Sequence, residues 1–241
     1  MREMAPPPRD AVVVPVYNEA PRVREVLRAV REVFGDLLIV VDDGSDDGTG
    51  CVLAEREDIV LVRHGHNEGY GRALADGLRY AASLGVERIV TMDCDGQHEP
   101  KHIPEFLRLL TDTRADVVSG SRYLPGSVAV GAAPADRRAV NAQVTEMINE
   151  RTGWGLTDAF CGFKAYRADA IAGLPLEEPG YALPLELWAR AWARGLTVVE
   201  APVERIYNDQ DRSFGEDLDD PVRRLGYYKD VWMRTLEEES V

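Results

Sequence analysis

Residues 36–49 read DLLIVVDDGSDDGT, five apolar residues in a row that run straight into an acidic, glycine-rich turn. A strand with one wet face alternates apolar and polar residues. An unbroken run instead belongs to a strand covered on both faces, as in a parallel sheet between helices. The turn that follows, Asp42 to Asp47, lies at the carboxyl end of such a strand, where open α/β sheets bind their ligands.

The neighbouring stretches repeat the arrangement. AVVVPVYNE (11–19) is a β-branched run stopped by Pro15 and Asn18. Arg22 to Val33 has helical spacing, with Val23, Val26, Leu27, Val30 and Val33 on one stripe. A short helix over 49–56 and a strand at Ile59–Val62 come next, and NEGYGRALADGLRYAASLG (67–85) is a loop that becomes a helix ended by Gly85. Arg88 to Met92 is a strand that leads into TMDCDGQHEP (91–100). Beyond it the spacing predicts a strand over 115–123, a flexible stretch at 124–134 and a helix over 135–152. A strand or hairpin at 157–167, a helix over 181–194, a strand over 196–206 and a tail helix from Asp219 to Glu239 complete the chain. Strand–helix alternation of this kind predicts a mainly parallel sheet flanked by helices. The division expected is a loose N-terminus (1–10), one α/β domain (11–206), and a C-terminal loop and amphipathic helix (207–241). That helix is expected on the domain, at a dimer contact or at a membrane surface.

Composition sets limits on function. At 241 residues the chain can bury a sizeable core, and its formal net charge of −14 argues against a nucleic-acid binder and against broad adhesion to anionic lipid. Cys51, Cys94 and Cys161 are odd in number and widely spaced, which suits a reducing compartment. MREMAPPPRD lacks the apolar core of a signal peptide. No stretch reaches the roughly 18 uninterrupted apolar residues of a membrane span. A cytoplasmic protein, with at most peripheral membrane contact, is the expectation.

The chemistry centres on Asp93 and Asp95. In an extended chain residues i and i+2 face one way, so both carboxylates can aim at one point with Cys94 turned away. Two carboxylates that close repel unless a cation lies between them, and hard divalent cations take oxygen ligands. A polar turn capping the next helix accounts for the same residues.

Taken in order, VPVYNE, VVDDGSDDGT, NEGYGRAL, MDCDGQHEP, SGSRY and TDAFCGFKAYR resemble the family-two glycosyltransferases of GT-A fold, most of all the dolichol-phosphate (polyprenyl-phosphate) mannosyltransferase-like branch. The resemblance implies metal-dependent, inverting transfer of a hexose from a nucleoside-diphosphate sugar, GDP-mannose or a UDP-hexose, to a phosphorylated acceptor, above all a polyprenyl phosphate. It implies that Pro15, Tyr17, Glu19, Asp43, Asn67, Gly69 and Asp93 hold the nucleotide, and that Asp93, Asp95 and Gln97 hold magnesium or manganese. Arg122, Arg137 and Arg138 match basic positions that face an acceptor phosphate, and Arg205 and Arg212 can close over the same space. Asp95 and Arg122 are thereby implied in catalysis, and Asp158 sits where the family has an acid near the acceptor. It can serve as a base toward a hydroxyl, or orient Arg122 or Lys164. Asp42, Ser45 and Asp47 are equally turn formers and a helix cap, and Arg72 is equally an exposed helix residue. A soluble hydroxyl acceptor and an inactive nucleotide-sugar-binding module are the alternatives. A sugar nucleotidyltransferase needs a basic, glycine-rich loop after the first strand, where this chain has Tyr17-Asn18-Glu19.

Overall fold

The structure, a computed structural model, describes residues 9–207 and 215–240; the expectations for the first eight residues and for Arg212 lie outside them. In chain order the elements are β1 (Asp10–Val16), α1 (Val23–Val33), β2 (Leu37–Asp42), α2 (Thr49–Ala54), β3 (Val60–Arg63), α3 (Tyr70–Ser83), β4 (Arg88–Thr91), α4 (Ile103–Thr113), β5 (Val117–Ser121) and β6 (Ala129–Val130). The second half comprises α5 (Ala135–Thr152), β7 (Lys164–Arg167), α6 (Ala168–Ile171), α7 (Leu183–Ala193), β8 (Val198–Pro202), β9 (Arg205–Ile206), α8 (Glu216–Asp219) and α9 (Pro221–Glu238).

One seven-stranded sheet has the order β3-β2-β1-β4-β7-β5-β8. All its neighbours pair in parallel except at β7, which is antiparallel to both β4 and β5. The unbroken apolar runs are explained by two cores, one on each face. Along β1 and β2, Ala11, Val13, Ile39 and Val41 join a core with α3, α5, α7 and α9. The alternate residues Val12, Val14, Val16, Leu38 and Val40 join the other, with Val23, Leu27 and Val30 of α1 and Ile103, Phe106 and Leu110 of α4. Trp188 of α7 and Trp232 of α9 are the largest fully buried side chains of the first core. Burial at that level is worth roughly 1.5–3 kcal/mol per large apolar side chain.

Two local expectations change. Arg9 and Asp10, expected in the loose N-terminus, are held in the fold: their amides both donate to Asp36 Oδ2 (2.8 and 2.9 Å), and β1 starts at Asp10. The stretch 124–134 contains a strand: Arg205 N and Tyr207 N donate to the carbonyls of Val128 and Val130, forming the parallel pair β6–β9. Such a two-residue strand carries no periodicity that a sequence could display.

The topology gathers the functional segments. β1, β2, β4 and β5 run in one direction and end at one rim, at Val16, Asp42, Thr91 and Ser121. β7 runs the opposite way, so the segment before it, Asp158 to Phe163, arrives at that same rim.

Candidate active site

A cavity of about 480 Å³ opens at this rim. Pro15, Tyr17, Glu19, Asp43, Asn67, Gly69, Asp93, Asp95 and Gln97 line one part of it, and Arg122 and Arg137 another. Thus five loops, those after β1, β2, β3, β4 and β5, deliver the residues that the sequence singled out, except Pro15 near the end of β1 and Arg137 in the first turn of α5. Glu19 and Asp43 are almost fully buried, whereas Tyr17 is 44% exposed and presents its ring at the mouth.

Asp43 works on its neighbours. Its Oδ1 accepts from Glu68 N and pairs with His64 Nδ1 (2.9 and 2.7 Å), and its Oδ2 accepts from Gly69 N (2.9 Å). It therefore pins the loop carrying Asn67 and Gly69 against the end of β2. Gly69 has φ +105, and a Cβ there would stand 2.3 Å from the Pro179 carbonyl oxygen, so only glycine lets the two segments meet. Asp42, Ser45 and Asp47 serve the turn itself. Ser45 N donates to Asp42 Oδ1, while Thr49 N and Oγ1 and Ala20 N donate to Asp47. Arg72 is paired with Asp76 (2.7 Å) on the surface of α3 and does not reach the cavity.

β4 stops at Thr91, so Asp93 and Asp95 are not placed by strand alternation; a turn closed at Gly96 (φ +73) carries both to the cavity. Cys94 between them packs into the core. Tyr70 Oη donates to Asp93 Oδ1 (2.9 Å), Asp93 N donates to His98 Nδ1 (2.9 Å), and Gln97 N donates to Asp95 Oδ1 (2.9 Å). Burial alone would lower the His98 pKa, but Asp93, Cys161 and Asp95 outweigh it and raise it to about 9. The amide bond to Nδ1 nonetheless needs a lone pair there, which fits a neutral ring, the form favoured once a cation offsets the two carboxylates. Gly162 lies against Asp93: a Cβ there would fall 2.5 Å from Oδ2. The pair and Gln97 offer only oxygen donors of side chains, a set that fits magnesium or manganese. Among the described residues no three His, Cys, Asp or Glu side chains converge as a metal cage. Such an ion would thus take its remaining oxygens from ligand and water.

At the far side, Arg122 binds Asp158 bidentately, Nε to Oδ2 at 2.6 Å and Nη2 to Oδ1 at 2.9 Å. Asp158 is fully buried and also accepts from Asn141 Nδ2 and Phe160 N. Burial pushes its carboxyl up, yet the Arg122 charge and hydrogen bonds prevail and hold it below the ordinary range. The reading of Asp158 as a base toward an acceptor hydroxyl is corrected here, since it has no surface on the cavity and its oxygens are committed. Its geometry suits the orienting of Arg122, which keeps Nη1 unclaimed among the described residues and itself lines the cavity. Arg138 and Arg205 are not brought into the cavity either. Their guanidinium groups lie 6.0 and 5.7 Å from the Tyr123 ring centroid, and Arg138 is exposed.

The structure adds lining residues that the motifs did not signal: Tyr70 and Tyr181, stacked with centroids 5.7 Å apart, Phe160, and Arg224 and Tyr228 of α9. Tyr70 and Phe160 lie inside NEGYGRAL and TDAFCGFKAYR without being singled out there, Tyr181 just precedes α7, and the packing of α9 brings Arg224 and Tyr228 to the site.

The profile of Glycosyl transferase family 2 matches residues 11–174. The chain is 31% identical over 216 residues to an undecaprenyl-phosphate mannosyltransferase of Micrococcus luteus, covering 86% of each. It is 30% identical over 207 residues to a polyprenol monophosphomannose synthase of Mycolicibacterium smegmatis, covering 82% of this chain and 77% of that one. A solved structure of glucosyl-3-phosphoglycerate synthase from Mycobacterium tuberculosis, with Mn2+, UDP-glucose and phosphoglyceric acid, superposes with a TM-score of 0.70 over 96% of this chain and 79% of that one, at 21% identity. At that identity the likeness speaks for the fold alone, and the fold is GT-A. A mostly parallel sheet with every motif at one rim, and a family profile that spans most of the chain, lead to one conclusion: this protein belongs to glycosyl transferase family 2 and is a glycosyltransferase.

Proposed function

We propose that the chain transfers a hexose, with inversion, from GDP-mannose or a UDP-hexose to a polyprenyl phosphate. The observation that carries this reading is one cavity lined both by acidic oxygen donors, Asp93 and Asp95, and by the cations Arg122, Arg137 and Arg224. The named activities of the Micrococcus and Mycolicibacterium relatives support the acceptor class.

In this reading Tyr17 stacks on the base, Glu19, Asp43, Asn67 and Gly69 bound the nucleoside, and Asp93, Asp95 and Gln97 hold magnesium or manganese. The ion, when bound, supplies Lewis-acid neutralisation of the departing diphosphate. Arg122, held in one orientation by Asp158, places the acceptor phosphate in line with the anomeric carbon. A phosphate oxygen forms the new bond to that carbon as the bond to the diphosphate breaks, and the nucleoside diphosphate departs with the electron pair. No base is required, because a phosphate monoester with a second pKa of about 6 is largely ionised at neutral pH. A hydroxyl acceptor would need one, and Asp158 is already committed to Arg122.

The test is transfer of radiolabelled mannose or glucose to farnesyl phosphate in detergent with Mn2+. We expect a product with the parent protein and a loss of at least a hundredfold in Asp95→Ala. No transfer to any phosphate monoester from any of these donors would overturn the proposal.

A further inference from the structure

The family profile ends at residue 174, yet the cavity does not: α9 lines it through Arg224 and Tyr228. Both side chains are fixed. Arg224 Nη2 binds Asp136 Oδ2 and Nη1 donates to the Leu218 carbonyl, each at 2.7 Å. The Tyr228 ring packs on Phe160, with centroids 4.7 Å apart, and the residue is only 3% exposed.

The hydroxyl of Tyr228 is the exception to this order. The neighbouring Tyr227 donates its own hydroxyl to Glu178, whereas the Tyr228 hydroxyl has no hydrogen-bond partner among the described residues. Its oxygen is not one of the fully enclosed polar atoms that lack a partner, so it opens on the cavity that the residue lines, where a ligand can accept from it. Burial pushes its pKa to about 12, although the positive charges of Arg224 and Arg137 act against that rise. At neutral pH it is therefore an un-ionised donor beside two cations, in a cavity it lines. The group suited to that place is an anionic oxygen.

We propose that Tyr228 is an acceptor-specificity residue, whose hydroxyl, with Arg137 and Arg224 beside it, donates a hydrogen bond to the acceptor's phosphate. This rests on the function proposed above. The consequence is that acceptor recognition is shared: Arg122 and Arg137 of the family segment meet the phosphate together with a helix that lies beyond that segment.

The experiment is Tyr228→Phe, assayed with farnesyl phosphate, with Tyr227→Phe as control. Phe keeps the packing on Phe160, so the melting temperature should hold or rise; a purely structural hydroxyl would instead lower it. A hydrogen bond to a charged oxygen corresponds to about a 10- to 100-fold change in affinity. The acceptor KM should rise by that factor in Tyr228→Phe, with donor KM unchanged, and stay at the parental value in Tyr227→Phe. If the parent transfers to farnesyl phosphate and Tyr228→Phe keeps its acceptor KM within about twofold, this inference is wrong while the proposed function stands. If the parent neither binds nor uses a phosphate monoester, both fall.

Discussion

Arg122 and Asp158 show how a single pair couples function to stability. The pair is buried and bidentate, and removing one partner of such a pair costs about 3–5 kcal/mol because the other charge is left uncompensated. Arg122→Gln should therefore lose acceptor use and also unfold at lower urea concentration. The pH dependence separates the two causes. In the parent, the folded-state pKa of Asp158 is depressed, so its contribution is present above the unfolded value of about 3.9 and is lost as pH falls through the folded one. Without the guanidinium, burial dominates and the folded pKa rises above the unfolded value. The variant then gains stability as Asp158 protonates. The gap in urea midpoint between parent and Arg122→Gln should accordingly shrink between pH 7 and about pH 4.5. A gap that is constant across that range would mean that Asp158 is not the group left exposed to the loss.

Among the elements, α3 and α9 depend on opposite devices. α3 crosses the sheet so closely that a Cβ at Gly77 would stand 2.4 Å from Val13 Cγ1 and 3.0 Å from Val41 Cγ2. Alanine there gains about 1 kcal/mol of helix propensity, but overpacking costs about 1–3 kcal/mol. Gly77→Ala should lower the melting temperature by a few degrees; a rise would refute the close crossing. α9 is instead fixed at its start, where Asp220 accepts from the amides of Val222 and Arg223, and along its length by Arg190 and Glu178 partners. The difference bears on what a sequence reveals. Strands such as 36–42 and the acidic turns at their ends are written locally, in runs of apolar residues and in Asp-Gly pairs, so the sheet and the donor end of the cavity were legible. β7 is antiparallel in a parallel sheet, and Tyr228 and Arg224 read as ordinary positions on an amphipathic helix. Their roles arise from packing between distant segments, as in the contact of Arg224 with Asp136, and no window of sequence contains both partners. The helix α4 buries a clear apolar face, Ile103, Phe106, Leu107 and Leu110, but its start is blurred in the sequence by the adjoining turn residues of TMDCDGQHEP and by Pro104.

At the scale of the whole molecule, the formal charge of −14 contrasts with a cavity that gathers Arg122, Arg137 and Arg224. The acids are spread over the surface in ion pairs such as Arg9–Glu87 and Arg108–Asp112, which contribute little to stability. Arg122 and Arg224, by contrast, are held in place by the buried Asp158 and by Asp136. In the proposed function this local cluster of cations is what would bind an anionic acceptor on an otherwise acidic molecule. Among the described residues no helix is long and apolar enough to cross a membrane.

In the proposed function Asp93 and Asp95 hold a cation that binds the nucleotide-sugar diphosphate. The most direct measurement is the melting temperature of the parent protein and of Asp95→Ala with GDP-mannose, UDP-glucose, UDP-GlcNAc and dTDP-glucose, each with Mn2+ and with EDTA. Ligand at about 100 times its dissociation constant stabilises by roughly 2.7 kcal/mol. For a chain of this length that corresponds to a rise on the order of 5–10 °C. Such a rise is expected with one nucleotide sugar in Mn2+, none in EDTA, and none in Asp95→Ala. An equal rise in EDTA, or in Asp95→Ala, would contradict it.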